Sequence, residues 1–141
     1  MSDFDLIDFT PYLLTMAAGN ASAGFQLYYK EKYGMLRTEW RVLFHLGRYG
    51  SLTAKQICTR GQLHKTEVSR AVAALETKRF LIRAEMDEDR RQEILTPTAN
   101  GLKAFNDLSE EAGRYDTWLT ADFTPEERAV LSKCLRQLAA R

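Results

Sequence analysis

Apolar residues recur at every third or fourth position along most of this chain, with polar residues between them. That spacing is typical of helices that bury one face. Two short runs of strand-forming residues flank the polar stretch 87–89 and predict a β-hairpin. The predicted helices span residues 10–33, 38–49, 53–61, 65–79, 98–119 and 124–140, and the predicted strands span 81–86 and 90–96. We therefore expect a mainly α fold with a small β-hairpin.

Several predicted helices begin at a threonine, whose hydroxyl can accept a hydrogen bond from the first helical turn. Thr53 stands three residues before Gln56, and Thr124 stands three residues before Glu127, which is the spacing of a capping box. Proline is favoured in the first turn of a helix, and it follows Thr124 directly. We expect N-caps at Thr10, Thr38, Thr53, Thr98 and Thr124.

Basic residues are concentrated in the centre of the chain, although the net charge of the whole is only +1. Residues 53–79 contain six Lys and Arg against two Glu, a net charge of +4. We therefore expect an anionic partner to meet this segment. The first residues lack a signal-peptide pattern, and no apolar run approaches the roughly 20 residues that cross a bilayer. We expect a cytoplasmic protein without a membrane partner.

Residues that could carry catalysis are few. The chain has two histidines, two distant cysteines and no glycine-rich phosphate loop, so no nucleophile, metal or cofactor site can be assembled from it. We expect a protein that is not an enzyme and holds neither a metal nor a cofactor. Cys58 and Cys134 fall at apolar helix positions, which favours structural roles, and redox sensing by either is the alternative.

Residues 53–79 resemble two helices joined by a turn that contains Gly61. In the second helix, Val68, Val72 and Leu75 share one face and predict its buried side. The opposite side suits a recognition helix in a DNA major groove, because Arg and Lys can donate to guanine and a small residue permits close approach. The candidate DNA-binding residues of this helix are Lys65, Thr66, Ser69, Arg70 and Ala73.

The hairpin adds a second candidate DNA contact. Arg90 and Arg91 are adjacent, so in a strand they point to opposite faces. We expect one of them to enter the minor groove, while the other pairs with Asp87 or Asp89 and stiffens the turn. The residue spacing leaves open which arginine does which.

Two segments carry a resemblance to a known family. The first is His64-Lys65-Thr66-Glu67-Val68-Ser69-Arg70-Ala71-Val72-Ala73-Ala74-Leu75-Glu76, and the second is Leu81-Ile82 followed by Asp87-Glu88-Asp89-Arg90-Arg91. Together with the order of the helices, they resemble the MarR (multiple antibiotic resistance regulator) family of winged helix-turn-helix transcriptional regulators. The likeness extends over nearly the whole chain.

The resemblance implies a single domain over residues 1–141. Residues 36–97 would form the winged helix-turn-helix, and residues 10–33 and 98–140 would form helices that interleave in a homodimer. It further implies that the two recognition helices enter successive major grooves of double-stranded DNA. A small ligand or thiol oxidation would lower the affinity for DNA.

A ligand pocket is the least defined of the expected sites. Tyr12, Met16, Tyr28, Trp40 and His45 could line a cavity for an aromatic or phenolic effector, although aromatics at helical spacing also suit a core or an interface. The leading hypothesis is a sequence-specific repressor that binds a pseudo-palindromic operator as a homodimer and is released by a small ligand. The alternatives are a winged-helix protein-interaction module without specific DNA binding, and a thiol-based redox sensor.

Overall fold

The computed structural model describes residues 2–88 and 91–140. Within these residues, six α-helices and three short strands follow one another, so the predicted mainly α fold with a β-hairpin is confirmed. The helices are α1 Thr10–Tyr33, α2 Arg37–Tyr49, α3 Ala54–Gly61, α4 Lys65–Thr77, α5 Ala99–Leu119 and α6 Pro125–Ala139. The strands are β1 Leu52–Thr53, β2 Leu81–Glu85 and β3 Glu93–Pro97, and a 3-10 turn spans Leu6–Asp8.

The chain forms two compact units, one within residues 1–110 and one within residues 111–141. The first holds the helix-turn-helix and the sheet, and the second holds the end of α5 and all of α6. The single domain expected over residues 1–141 stays a prediction. Among the residues that the structure describes, no helix is both long enough and apolar enough to span a membrane.

The strands form one antiparallel sheet in the order β1-β3-β2. Leu95 on β3 lies between Leu52 on β1 and Arg83 on β2. The sequence pattern missed β1, because two residues are too few to show an alternation. It also placed the start of the last strand too early: β3 begins at Glu93, and Arg91 lies in the turn before it.

The core of the first unit is built from one face of each helix of the winged module. The buried side chains come from α1 to α5, from Met35 before α2 and from the sheet, and each large apolar one contributes about 1.5–3 kcal/mol on burial. They include Leu43, Leu46, Ile57, Val68, Val72, Leu75, Leu81, Leu95 and Leu108. The predicted buried side of the fourth helix is confirmed, and its opposite side is left on the surface.

The threonine caps fall into two groups. Thr53, Thr98 and Thr124 each accept a hydrogen bond from a backbone N–H three residues later, as predicted. Thr10 and Thr38 do not cap, because α1 and α2 begin earlier, after Phe9 and Leu36. At α2 the carboxylate of Glu39 takes over, since its Oε2 accepts from the backbone N–H of Leu36 at 3.1 Å.

Two polar clusters connect helices inside the first unit. Glu39 is buried, and its Oε1 accepts a charged hydrogen bond from Nζ of Lys78 at 3.1 Å, which ties α2 to the end of α4. Asp107 on α5 accepts from the hydroxyls of Tyr28 at 3.0 Å and Tyr33 at 2.6 Å. Lys32 adds an ion pair at 2.9 Å, so four side chains tie α1 to α5.

The Asp107 cluster perturbs two titrations in opposite directions. The hydrogen bond from Tyr33 is the main cause that lowers the pKa of the Asp107 carboxyl, because it stabilises the charged form. Burial raises the pKa of Tyr33 to about 12, and the nearby Asp107 adds to that shift. The carboxylate and the neutral phenol are therefore the forms present near neutral pH.

Candidate nucleic-acid interface

A basic cleft lies between α3, α4 and the β2–β3 hairpin, which we call the wing. The volume of the cleft is about 570 Å³. Among the described residues, four cations and a single carboxylate line it, which gives the lining a net charge of +3. The charged members are Lys55, Lys65, Arg83, Arg91 and Glu93.

The local sequence explains how α3 and the turn present this cleft. Thr53 Oγ1 accepts from the Gln56 backbone at 3.1 Å, and Gln56 Oε1 accepts from the Thr53 backbone at 2.9 Å. This capping box starts α3 directly after β1. At the other end, Gln62 adopts a left-handed conformation with φ of 52°, which stops α3 and turns the chain toward α4. Lys55 is thereby held in the first turn of α3.

The start of α4 has no side-chain cap. His64 occupies the N-cap position, and its side chain makes no capping hydrogen bond. The first amide groups of α4 therefore lack the acceptor that a Ser or Asp would supply. A helix N terminus of this kind favours an anion, because its amides and its dipole both carry positive charge there.

The candidate residues of the fourth helix all lie on its exposed side. Lys65 and Ser69 line the basic cleft. Thr66, Arg70 and Ala73 are also exposed, at positions that continue the same face of the helix. The predicted set is therefore brought together on one surface.

The wing brings part of its predicted set to the cleft. Arg91 is exposed and lines the cleft from the turn before β3. It is not in a strand, so the expected alternation between Arg90 and Arg91 is wrong for this residue. Asp87 is exposed in the turn after β2. Asp89 and Arg90 lie outside the described residues, and their predicted roles stay predictions.

Sequence reasoning did not single out Lys55 and Arg83, the other two cations of the cleft. Lys55 belongs to the basic segment 53–79, so the charge count included it, and the capping box places it two residues after Thr53. Arg83 could have been found from β2, where it shares a face with the buried Leu81. A cation on the inward face of a strand needs a specific partner.

The predicted ligand-pocket residues do not form one group within the chain. Tyr28, Trp40 and His45 belong to a row of aromatic rings that also includes Phe25 and Phe44. Ring centroids in this row lie 5.6 Å apart for Phe25 and Trp40, 5.7 Å for Trp40 and Phe44, and 5.9 Å for Phe44 and His45. Phe25 and Tyr28 extend it, with centroids 6.3 Å apart.

The other two pocket candidates lie elsewhere on α1. Along a helix that rises 1.5 Å per residue, Met16 is about 18 Å and Tyr12 about 24 Å from Tyr28. His45 is half-buried and its Nδ1 donates to the backbone carbonyl of Arg41 at 2.6 Å, which orients the ring. The assignment of an effector pocket to these five residues stays a prediction.

The two cysteines have different surroundings. Cys58 is half-buried and lines the basic cleft, whereas Cys134 is exposed on α6. Within residues 2–88 and 91–140, no group of three or more His, Cys, Asp or Glu side chains is arranged to hold a metal ion.

The sequence comparisons match this chain to transcriptional regulators. A sequence profile described as the MarR family matches residues 33–92, the segment that carries the helix-turn-helix and the first strand of the wing. A Bacillus subtilis protein named as the uncharacterized HTH-type transcriptional regulator YwoH is 26% identical over 106 residues, which cover 75% of this chain and 77% of that protein.

Two solved structures share the fold over nearly the full chain. Bordetella bronchiseptica BpsR, described for the regulation of its DNA binding by 6-hydroxynicotinic acid, has a TM-score of 0.91 at 18% identity, with 99% of each chain covered. The Streptomyces coelicolor transcriptional regulator PcaV, solved with its natural ligand, has a TM-score of 0.83 at 20% identity. That match covers 99% of this chain and 98% of PcaV.

Proposed function

We propose that this chain is a winged helix-turn-helix DNA-binding transcriptional regulator of the MarR family, and that it recognises a pseudo-palindromic operator as a homodimer and represses transcription there. Members of this family act by binding DNA and not by catalysis. We further propose that a small aromatic or phenolic ligand releases the protein from DNA.

The basic cleft is the observation that carries this proposal. In a DNA complex, α4 would occupy the major groove and the wing would reach the minor groove. The DNA strand between these two grooves would then pass through the basic cleft. Lys55, Lys65 and Arg91 would meet its phosphates. Arg70, exposed next to the cleft, would read a base edge, and the small Ala73 would let α4 sit deep in the groove.

Exposed apolar surface supports a homodimer. Helix α6 has no buried residue, although its apolar side chains recur at helical spacing. A helix with an apolar stripe that nothing covers is stabilised by packing against a partner. The exposed apolar residues of α6 are Val130, Leu131, Leu135 and Leu138. In a twofold dimer the two copies of α4 would address half-sites about 34–36 Å apart.

The aromatic row supports the choice of ligand class. Tyr28, Trp40 and His45 offer flat apolar faces with polar edges, which suits an aromatic ring that bears a hydroxyl or carboxylate. BpsR and PcaV are described with small-molecule ligands, and the ligand of BpsR is an aromatic acid. Tyr12 and Met16 would complete the site only if a ligand or a partner subunit bridges the distance along α1.

A salt titration tests the DNA-binding proposal. Fluorescence anisotropy would follow binding to the DNA that flanks the protein's own gene, with unrelated duplex as competitor and the oligomer mass measured in parallel. Three phosphate contacts from each of two subunits predict that log K falls with log salt at a slope of about −5. Tight, competitor-resistant binding by a dimer with such a slope is expected.

Three results would contradict parts of the proposal. Binding that is equal for flanking and unrelated DNA would remove sequence specificity. A shallow salt slope together with tight binding to an acidic protein would favour the protein-interaction module instead. Release of DNA by peroxide that is lost in Cys58→Ser would favour the redox sensor over a ligand-released repressor.

A further inference from the structure

Arg83 connects the helix that would read DNA to both strands of the wing. Its Nε lies 3.3 Å from Oε1 of Glu76, an ion-pair contact that does not have the geometry of a hydrogen bond. Its Nη1 lies 3.8 Å from Oε1 of Glu93. Glu76 is on α4, Arg83 on β2 and Glu93 on β3, so one guanidinium bridges three elements.

The position of Glu76 on α4 gives this bridge its significance. Glu76 follows Lys65, Ser69 and Val72 at spacings of three and four residues, so it continues the stripe of α4 that lines the basic cleft. Arg83 itself lines the cleft, so its contact with Glu76 lies beside the C-terminal end of that stripe.

The position of Arg83 on β2 also places it between the wing and α4. Side chains alternate along a strand, so Arg83 shares a face with Leu81, which is 1% exposed and packs in the core. Beyond Arg83 the ladder continues only to the pair Glu85 and Glu93 before the turn that carries Arg91. Glu85, the next residue of β2 on this face, is exposed, and no hydrogen bond or ion pair between described residues links it to α4. Arg83 is thus the outermost residue of β2 with a described polar contact to α4.

The chemistry of arginine suits this task. A planar guanidinium presents several N–H groups in a fixed fork, so it can face two carboxylates from different elements at once. The bridge is partly exposed, with 30% of the Arg83 side chain accessible, so it adds little to the free energy of unfolding. Its main consequence is geometric, because it restricts the distance and angle between the wing and α4.

We propose that Arg83 is a positioning residue for DNA binding, which holds the wing at the distance from α4 that lets Arg91 and the exposed face of α4 reach DNA together. This inference rests on the DNA binding proposed above. Without the bridge, the wing would sample a range of orientations, and the contact of Arg91 would be made only part of the time.

A double-mutant cycle tests the inference. Operator affinity would be measured for Arg83→Gln, Arg91→Ala and the double variant, with Arg48→Gln as the control. Arg48 is an exposed cation on α2 that does not line the cleft, and it lies over the ring of Tyr49. Arg83→Gln should weaken binding about fivefold, and the double variant should lose clearly less than the product of the two single losses. The control should leave affinity unchanged.

Arg83→Lys separates positioning from direct contact with DNA. A lysine keeps the charge but cannot present a fork to two carboxylates, so its affinity should resemble that of Arg83→Gln. If Arg83 instead donated to a phosphate, the lysine would bind nearly as well as arginine. The glutamine variant would then show a salt slope smaller by about 1, and its loss would add to that of Arg91→Ala. Either pattern would overturn the inference.

Hydrogen exchange without DNA keeps the inference separate from the proposed function. Amides of the β2–β3 ladder should exchange faster in Arg83→Gln than in the unaltered protein, while the melting temperature stays nearly constant. Unchanged exchange in the ladder would refute the positioning role even if DNA binds. Faster exchange in a protein that does not bind the operator would instead refute the proposed function alone.

Discussion

Gly101, in the first turn of α5, is the position where a single methyl group is expected to do the most damage. A Cβ built at Gly101 overlaps the backbone carbonyl oxygen of Phe80 and lies 2.9 Å from its carbon. That carbonyl also accepts a hydrogen bond from the Thr98 backbone at 3.0 Å. Gly101→Ala must therefore move either α5 or the connection between α4 and the wing.

The size of the effect follows from three contributions. Overpacking against backbone costs about 1–3 kcal/mol. Losing the hydrogen bond between Thr98 and Phe80 costs about 0.5–1.5 kcal/mol. The higher helix propensity of alanine returns about 1 kcal/mol. We expect Gly101→Ala to lower the free energy of unfolding by about 2 kcal/mol, which corresponds to about 4–8 °C in Tm.

Gly113 provides the matched control on the same helix. It lies in α5, and apart from its chain neighbours and the backbone of its own helix, no described atom is within 4 Å of a Cβ built there. Gly113→Ala should gain the helix propensity without a clash, and should raise the free energy of unfolding by about 1 kcal/mol. The two variants thus make the same substitution at different positions of α5, and the predicted changes in the free energy of unfolding have opposite signs.

Urea and thermal unfolding followed by circular dichroism would measure both variants. All samples should be compared at one protein concentration, because the Tm of an associating protein depends on it. If Gly101→Ala is as stable as the unaltered protein, or gains stability as Gly113→Ala should, then α5 does not pack against the Phe80 backbone as described. The argument from close approach would then be refuted.

Three further predictions concern the other sites. Arg70→Ala should cost about 1–3 kcal/mol of operator affinity and relax base preference, whereas Lys65→Ala should weaken binding to all DNA sequences alike. Fluorescence anisotropy with single-base operator variants checks this, and equal losses of affinity on every sequence for both variants would remove the assigned roles. Asp107→Asn should lower the free energy of unfolding by about 1–2 kcal/mol near neutral pH. The hydrogen bond from Tyr33 lowers the pKa of Asp107, so the stability that the charged carboxylate contributes is present above the ordinary carboxyl pKa and is lost as pH falls through the lowered value. The urea unfolding curves of Asp107→Asn and the unaltered protein should therefore converge in acid. Gly34 ends α1 with φ of 64°, so Gly34→Ala should cost about 1 kcal/mol in the same unfolding assay, and an unchanged midpoint would argue against the left-handed cap.

Local features of the chain were read correctly from the sequence where local interactions decide them. The buried side of α4 followed from Val68, Val72 and Leu75, since helical periodicity needs no knowledge of the partner surface. The cap at Thr53 followed from its spacing to Gln56 for the same reason. The exposed face with Lys65 is the complement of that buried side.

Boundaries were predicted less well, because neighbouring backbone geometry decides them. Thr10 and Thr38 have the chemistry of caps, but Thr10 is the first residue of α1 and Thr38 the second of α2, so the N-cap positions fall at Phe9 and Leu36. Arg91 lies in the turn of the wing, since the β2–β3 ladder ends at the pair Glu85 and Glu93. A period-2 pattern over so few residues does not define where pairing stops.

What the sequence determined by itself is the set of helices, their buried and exposed sides and the basic centre of the chain, because each depends on residues within a few positions of one another. Only the tertiary structure decided the long-range pairings. Asp107 meets Tyr33 across 74 positions, Lys78 meets Glu39 across 39, and Gly101 packs on Phe80. These contacts depend on how the helices pack in the core, and spacing along the chain carries no record of them.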